Sequence, residues 1–255
     1  MPVIELQGVY AGYGKKQMIH DISLPFPKGR LISIIGPNGS GKSTLLKTVM
    51  WILSPASGDI FADGVRLSAL SRQDVAKKIA YLAQGRNVPD MTVEQLVLHG
   101  RFPHLCYPRR YTGKDHEIAR AAMEQTKILE LADKQLSSLS GGMRQNAYIA
   151  MALAQDTDYI LMDEPTTYLD ISHQLELMKT LRSLADNGKG IIIVMHDLPL
   201  AFTFSDGIAV MKDGKQMVFD TPQKVCSSGI IRETFHVDLH FSESGGNYAY
   251  DYSAP

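Results

Sequence analysis

Three short apolar stretches punctuate the chain: Leu31-Ile32-Ser33-Ile34-Ile35, Tyr159-Ile160-Leu161-Met162 and Ile191-Ile192-Ile193-Val194-Met195. Each has the length of a strand and a β-branched bias, the pattern of strands buried on both faces. Each is followed by polar or glycine positions: Gly36, Asp163-Glu164 and His196-Asp197. Upstream, Ile22, Leu24 and Phe26 alternate with Asp21, Ser23 and Pro25, which predicts a half-buried strand, and Pro25 assigns it to an edge. Pro27-Lys28-Gly29 reads as a turn. Helical runs are predicted from Thr44 to Leu53 and from Arg144 to Gln155.

Strands alternating with helices predict a mostly parallel sheet, in which ligands sit at the carboxyl ends of the strands. Gly36, Asp163, Glu164 and His196 would then converge on one edge. Between about residues 89 and 158 the pattern turns helical, and Thr112 with Asp115 fits a capping box ahead of a stripe of Ile118, Ala121, Ala122, Leu129 and Ala132. After Gly207 short strands and turns return, and residues 242–255 read as a Gly, Ser and Tyr-rich tail with no assigned order. The expectation is one domain over residues 1–255, with a helical subdomain at about 89–158.

Composition narrows the class. The chain has 255 residues, 44% of them hydrophobic and 21% charged, the balance of a globular protein that buries a sizeable core. Its formal net charge of −1 argues against nucleic acid as the main partner. Cys106 and Cys226 show neither a disulfide framework nor a thiolate metal spacing. No apolar run nears the roughly 18–20 residues of a membrane span, and the first residues show no secretory signal, so membrane association is expected only through a partner.

The chemistry is concentrated in a few segments. Gly36-Pro37-Asn38-Gly39-Ser40-Gly41-Lys42-Ser43 matches the phosphate-binding loop G-x-x-x-x-G-K-[ST], directly after a buried strand and before the helical run that opens at Thr44. Its backbone N–H groups can close around phosphate oxygens, Lys42 can reach the β- and γ-phosphates, and the Ser43 hydroxyl can ligate Mg²⁺. Asp163 supplies a carboxylate for Mg²⁺, and Glu164 one to orient an attacking water. Alone, such a pair is an ordinary strand end; beside a phosphate loop it is a catalytic candidate. Leu139-Ser140-Gly141-Gly142-Met143 opens a helix and repeats a phosphate-facing geometry, although a plain serine N-cap would look the same.

Taken together and in this order, the segments resemble ATP-binding cassette (ABC) ATPases over nearly the whole chain. The resemblance implies a P-loop NTPase α/β core with a small antiparallel β subdomain and an α-helical subdomain. Gln84 matches the Q-loop glutamine, Ser140, Gly141 and Gly142 the signature motif, and Asp163 and Glu164 the Walker B pair. Tyr168-Leu169-Asp170 matches the D-loop, His196 the switch histidine, and Tyr13 the adenine-stacking aromatic. It further implies ATP and Mg²⁺, the metal held through Ser43, Gln84 and Asp163, and two copies pairing head to tail so that Ser140-Gly141-Gly142 of one covers the ATP of the other. Glu164 would polarise water, His196 would meet the γ-phosphate, and Gln84 would relay nucleotide state to a docked permease dimer. Met143, Asn146 and Met151 depart from the usual residues, which bears on the dimer interface.

The stretches Gly100-Arg101-Phe102-Pro103-His104 and Asp163 to Gln174 resemble the branch that energises bacterial importers of iron chelates, haem and cobalamin. That implies a peripheral subunit on the cytoplasmic side of the cell membrane, working with a permease dimer and an extracytoplasmic binding protein. An exporter ATPase and a soluble non-transport ABC ATPase are the alternatives. A GTPase would need an Asn-Lys-x-Asp guanine reader, which is absent. His236 and His240, four apart, could share a helix face as metal ligands, but solvent-facing histidines fit better. Arg101, Arg109 and Arg110 among aromatics read as a solvated or partner-contact loop rather than a nucleic-acid patch.

Overall fold

The computed structural model describes residues 3–85, 88–167, 169–244 and 247–253. Arg86 and Asn87 of the loop after Gln84, Tyr168 of the D-loop match, and Gly245, Gly246, Ala254 and Pro255 of the tail lie outside the described residues, as do Met1 and Pro2.

The chain opens with antiparallel strands β1 (Val3–Tyr13), β2 (Lys16–Ile22) and β3 (Pro25–Pro27). It then enters a second sheet at β4 (Leu31–Ile35), which leads into helix α1 (Lys42–Val49). β5 (Ser57–Ala62) and β6 (Val65–Arg66) return to the first sheet, whose order is β2-β1-β5-β6 with β3 also on β1. Next come α2 (Arg72–Lys78), β7 (Ile79–Leu82), and the helices α3 (Val93–His99), α4 (Gly113–Gln125) and α5 (Gly141–Ala154). The pattern then alternates: β8 (Tyr159–Asp163), α6 (Ile171–Asp186), β9 (Gly190–Val194), α7 (Leu198–Phe204), β10 (Gly207–Lys212) and β11 (Lys215–Asp220). Helices α8 (Pro222–Ser227) and α9 (Ile230–Phe235) and the hairpin β12 (Asp238–Ser244) and β13 (Asn247–Ser253) close the described chain.

The second sheet has the order β11-β10-β4-β9-β8-β7, parallel except for β11. It is the mixed α/β layer that the alternation predicts. All five residues of β4, β8 and β9 are buried, because both faces are covered. Leu31 and Ile35 face a core shared with α3, α5, α6 and α7, while Ile32 and Ile34 face a second core shared with the first sheet and α1. Each fully buried Ile or Leu contributes about 1.5–3 kcal/mol, so the sheet is pinned from both sides. Gly36, Gln84, Asp163 and His196 leave β4, β7, β8 and β9 at their carboxyl ends. No helix among the described residues is long and apolar enough to cross a membrane.

Several elements depart from the expectation. α1 ends at Val49 rather than Leu53, since Trp51 sits at φ +56°. α4 stops at Gln125, where the Thr126 hydroxyl donates back to the Ala122 carbonyl at 3.0 Å and Lys127 turns to φ +58°. Leu129 and Ala132 therefore belong to a separate 3-10 turn and its cap, not to that stripe; Ala119, Ala122 and Met123 line the buried face, and Ala121 is exposed. The capping box at Thr112 and Asp115 is present. The tail is a hairpin whose Tyr250 ring packs 5.3 Å from Phe202 of α7, centroid to centroid.

Arg101 lies inside rather than on a surface patch. Its Nε donates to Asp115 Oδ1 at 2.9 Å and its Nη1 to the Ala154 carbonyl at 2.8 Å, joining the end of α3 to α4 and α5. A Cβ at Gly100 would fall 2.1 Å from the Met151 carbonyl, so α3 and α5 meet backbone to backbone there. Arg109 instead stacks 4.7 Å over the exposed Phe102 ring. His236 caps α9 at φ +58° while His240 lies in β12, so the two share no helix face.

Candidate functional site

The loop from Gly36 to Gly41 can wrap tightly because its glycines accept geometry that other residues resist. Gly41 sits at φ +95°, and a Cβ there would strike Ile19 and the Met18 carbonyl at 2.7 Å, so β2 presses directly on the loop. Lys42 is buried and folds back over the loop, donating to the Gly36 carbonyl at 2.8 Å and the Pro37 carbonyl at 2.9 Å. Burial pushes its ammonium below the usual lysine range, while Glu164 and Asp163 oppose that shift. Among the described residues the buried Ser40 hydroxyl has no hydrogen-bond partner. An orphaned donor inside a loop of this shape fits a ligand rich in acceptor oxygens. Asn38, Gly39, Gly41, Lys42, Ser43 and Thr44 line the concavity together with Met18 and Glu164.

Across the sheet edge, Ser43 Oγ donates to Asp163 Oδ1 at 3.1 Å. Burial raises the Asp163 carboxyl above its ordinary value, moderated by that bond. An all-oxygen pair of this kind suits a hard cation. Among the described residues no cluster of three or more His, Cys, Asp or Glu side chains forms a protein-only metal site.

Glu164 is the junction of the edge. Its backbone holds φ +50°, a conformation that costs a non-glycine residue about 1–2 kcal/mol. Its amide donates to the Val194 carbonyl at 3.2 Å, which fixes the turn against β9. One carboxylate oxygen meets His196 Nε2 at 2.5 Å; the other accepts from Gln84 Nε2 at 2.5 Å and from Thr167 Oγ1 at 3.4 Å. Gln84, Glu164 and His196 thus converge from three adjacent strand ends.

Ser140 caps α5, accepting from the Met143 amide at 3.3 Å. Gly141 shares a cavity of about 280 Å³ with Gln84, Asp163 and Glu164, so the helix start stands across a cleft from the sheet edge. Tyr13 is half exposed at the end of β1 and outside the lining of both cavities, and Asp170 caps α6 rather than reaching the phosphate loop. Met143 is exposed on the first turn of α5.

Two contributors were not read from the sequence. Thr167 holds Glu164, and the Tyr81 hydroxyl lies 3.5 Å from Asp163 Oδ2. Tyr81 has this role because β7 lies parallel beside β8 with Tyr81 opposite Leu161. Strand adjacency leaves no local mark in the sequence, whereas Thr167 lies only three residues from Glu164 and was within reach of a turn argument.

Residues 19–167 match the family model described as ABC transporter. The chain is 38% identical over 241 residues to the petrobactin import ATP-binding protein FpuD of Bacillus anthracis, covering 94% of this chain and 88% of that one. It is 40% identical over 229 residues to the iron(3+)-hydroxamate import ATP-binding protein FhuC of Bacillus subtilis (strain 168), covering 89% and 85%. Its fold matches a solved metal-chelate type ABC transporter in an inward-facing conformation with a TM-score of 0.86, at 22% identity over 99% of this chain and 97% of that one.

Proposed function

The chain belongs to the ABC transporter family, and from that premise we propose that it is the ATP-hydrolysing subunit of an importer for iron-siderophore, haem or cobalamin-type cargo. The observation that carries the chemistry is the convergence of Lys42, Ser43, Asp163, Glu164, Gln84 and His196 on one sheet edge. The petrobactin and iron(3+)-hydroxamate import for which the two relatives are named favour the iron-chelate class.

In this reading ATP is the substrate. Its phosphates take the place of the loop carbonyls that Lys42 now faces, and the Ser40 hydroxyl gains an acceptor. Ser43, Asp163 and Gln84 would hold a Mg²⁺ ion, which when bound would neutralise charge on the β- and γ-phosphates. Water would attack the γ-phosphorus as the bond to the ADP oxygen breaks, giving ADP and inorganic phosphate; Glu164, released by Gln84 and His196, would accept the water's proton and pass it to the phosphate, with His196 turned toward the γ-phosphate. Such catalysis depends on positioning and charge stabilisation. Ser140, Gly141 and Gly142 of a second copy would close over the nucleotide, with Asp170 of that copy beside it and Tyr13 against adenine. A permease dimer would dock beside α3, α4 and the loop after Gln84, which holds this subunit to the cytoplasmic face of the membrane; an extracytoplasmic binding protein would deliver cargo to the permease.

The test is affinity purification of the tagged chain from detergent-solubilised native membranes, with ATPase activity measured on the product. A two-to-two complex with a polytopic permease whose hydrolysis is Mg²⁺-dependent is the expected result. Recovery of the chain alone, or with ribosomal proteins, under conditions that preserve other membrane complexes would overturn the importer reading.

A further inference from the structure

His173, in the first turn of α6, links parts of the molecule that are distant in sequence. Its Nδ1 lies 2.7 Å from Asp170 Oδ1, which also accepts from the His173 amide at 2.9 Å and from Ser172 Oγ at 2.9 Å. The imidazole is therefore tethered at one nitrogen. Its other edge lies on the backbone of α5. A Cβ added to the buried Gly142 would fall 2.5 Å from His173 Cδ2 and 2.9 Å from its Cγ and Nε2. Only a residue without a side chain lets the ring and the helix approach so closely.

The neighbouring residue reaches the opposite way. Gln174 Nε2 donates to the Leu169 carbonyl at 3.1 Å and the Thr166 carbonyl at 3.3 Å. Thr167, inside that loop, donates to Glu164. One turn of α6 thus grips the start of α5 with His173 and the segment after Glu164 with Gln174.

We infer that His173 is a positioning residue: its ring sets the Ser140-Gly141-Gly142 backbone for the nucleotide of a second copy and, with Gln174, ties that surface to Glu164 of its own site. The inference rests on the paired arrangement proposed above. Without the ring, α5 keeps its serine cap but loses the support beneath its second residue, so the contact with the partner's nucleotide weakens while the chain's own phosphate loop is untouched.

The experiment uses the full chain carrying Glu164→Gln, in which ATP-driven pairing is read by light scattering against ATP concentration. Adding His173→Ala is expected to raise the ATP concentration for half-pairing roughly tenfold, the scale of one lost hydrogen bond with its packing. The affinity of the isolated monomer for ATP should not change. His173→Phe, which returns a ring to Gly142, is expected to recover most of the pairing. Gly142→Ala should weaken pairing in the His173 background and do so less than additively when combined with His173→Ala, because the added methyl no longer meets the ring. Pairing by His173→Ala at the parent's ATP concentration, or strict additivity in the cycle, would overturn the inference. Failure of the parent itself to pair with ATP would instead overturn the paired reading, and this inference with it.

Discussion

At the scale of single residues, the proposed function makes the Glu164 carboxylate the group on which turnover would hang, and among the described residues it meets the side chains of Gln84, Thr167 and His196. Glu164→Gln should leave ATP affinity within about threefold and lower hydrolysis by roughly 10²–10⁴, the usual worth of a general base, as read by phosphate release. Lys42→Ala should weaken ATP binding by roughly 10–100-fold in calorimetry, since it removes a charge-assisted contact from a buried cradle. Both residues were legible in the sequence, because the phosphate loop and the Asp163-Glu164 pair are contiguous and their strand context is local. The partners that give Glu164 its geometry were legible in part. Gln84 and His196 were placed by motif order and Thr167 lay within reach of a turn argument, but no spacing rule brings His173 to Gly142. That contact depends on how α5 and α6 pack, which residue type does not reveal.

At the scale of elements, the Arg101–Asp115 pair decides whether α3, α4 and α5 hold together. Both partners are buried, so Asp115→Asn leaves the Arg101 charge unpaired and should cost about 3–5 kcal/mol in urea unfolding, while Arg101→Met, after which Asp115 keeps its Thr112 bonds, should cost less. Hydrogen bonds from the Thr112 amide and hydroxyl, then the Arg101 guanidinium, hold the Asp115 carboxyl at about 2, below its ordinary 3.8. A lowered pKa contributes stability that is complete above the ordinary value and is lost as pH falls through the lowered one. The stability gap between wild type and Asp115→Asn should therefore be constant above pH about 5 and narrow as pH falls from about 4 toward 2. The same elements show why sequence reading overran helix ends. Trp51 and Lys127 occupy the left-handed region that terminates their helices, and neither residue type announces such a turn. The Gly100 to His104 stretch carried the resemblance to the iron-chelate import branch, and within it Arg101 fastens the end of α3 to α4 and α5.

At the scale of the whole molecule, one six-stranded sheet serves two cores, and the final hairpin leans on α7, which begins just after His196. Tyr250→Ala removes an aromatic from that contact and should lower stability by about 3 kcal/mol and Tm by roughly 6–12 °C, as calorimetry would read. Tyr250 lies in the segment read as a tail, because Gly and Ser diluted its hydrophobic signal and its docking partner stands 48 positions away. The capped state of Glu164 also reaches beyond the protein. Under the proposed function, a copy that has not met its partners keeps Glu164 engaged by its own His196 and Gln84, so surplus subunits made ahead of assembly should turn over nucleotide only at background rate. A cell could then hold them in reserve without draining its adenylate pool, and dilution of the purified chain should lower total activity more steeply than it lowers protein concentration.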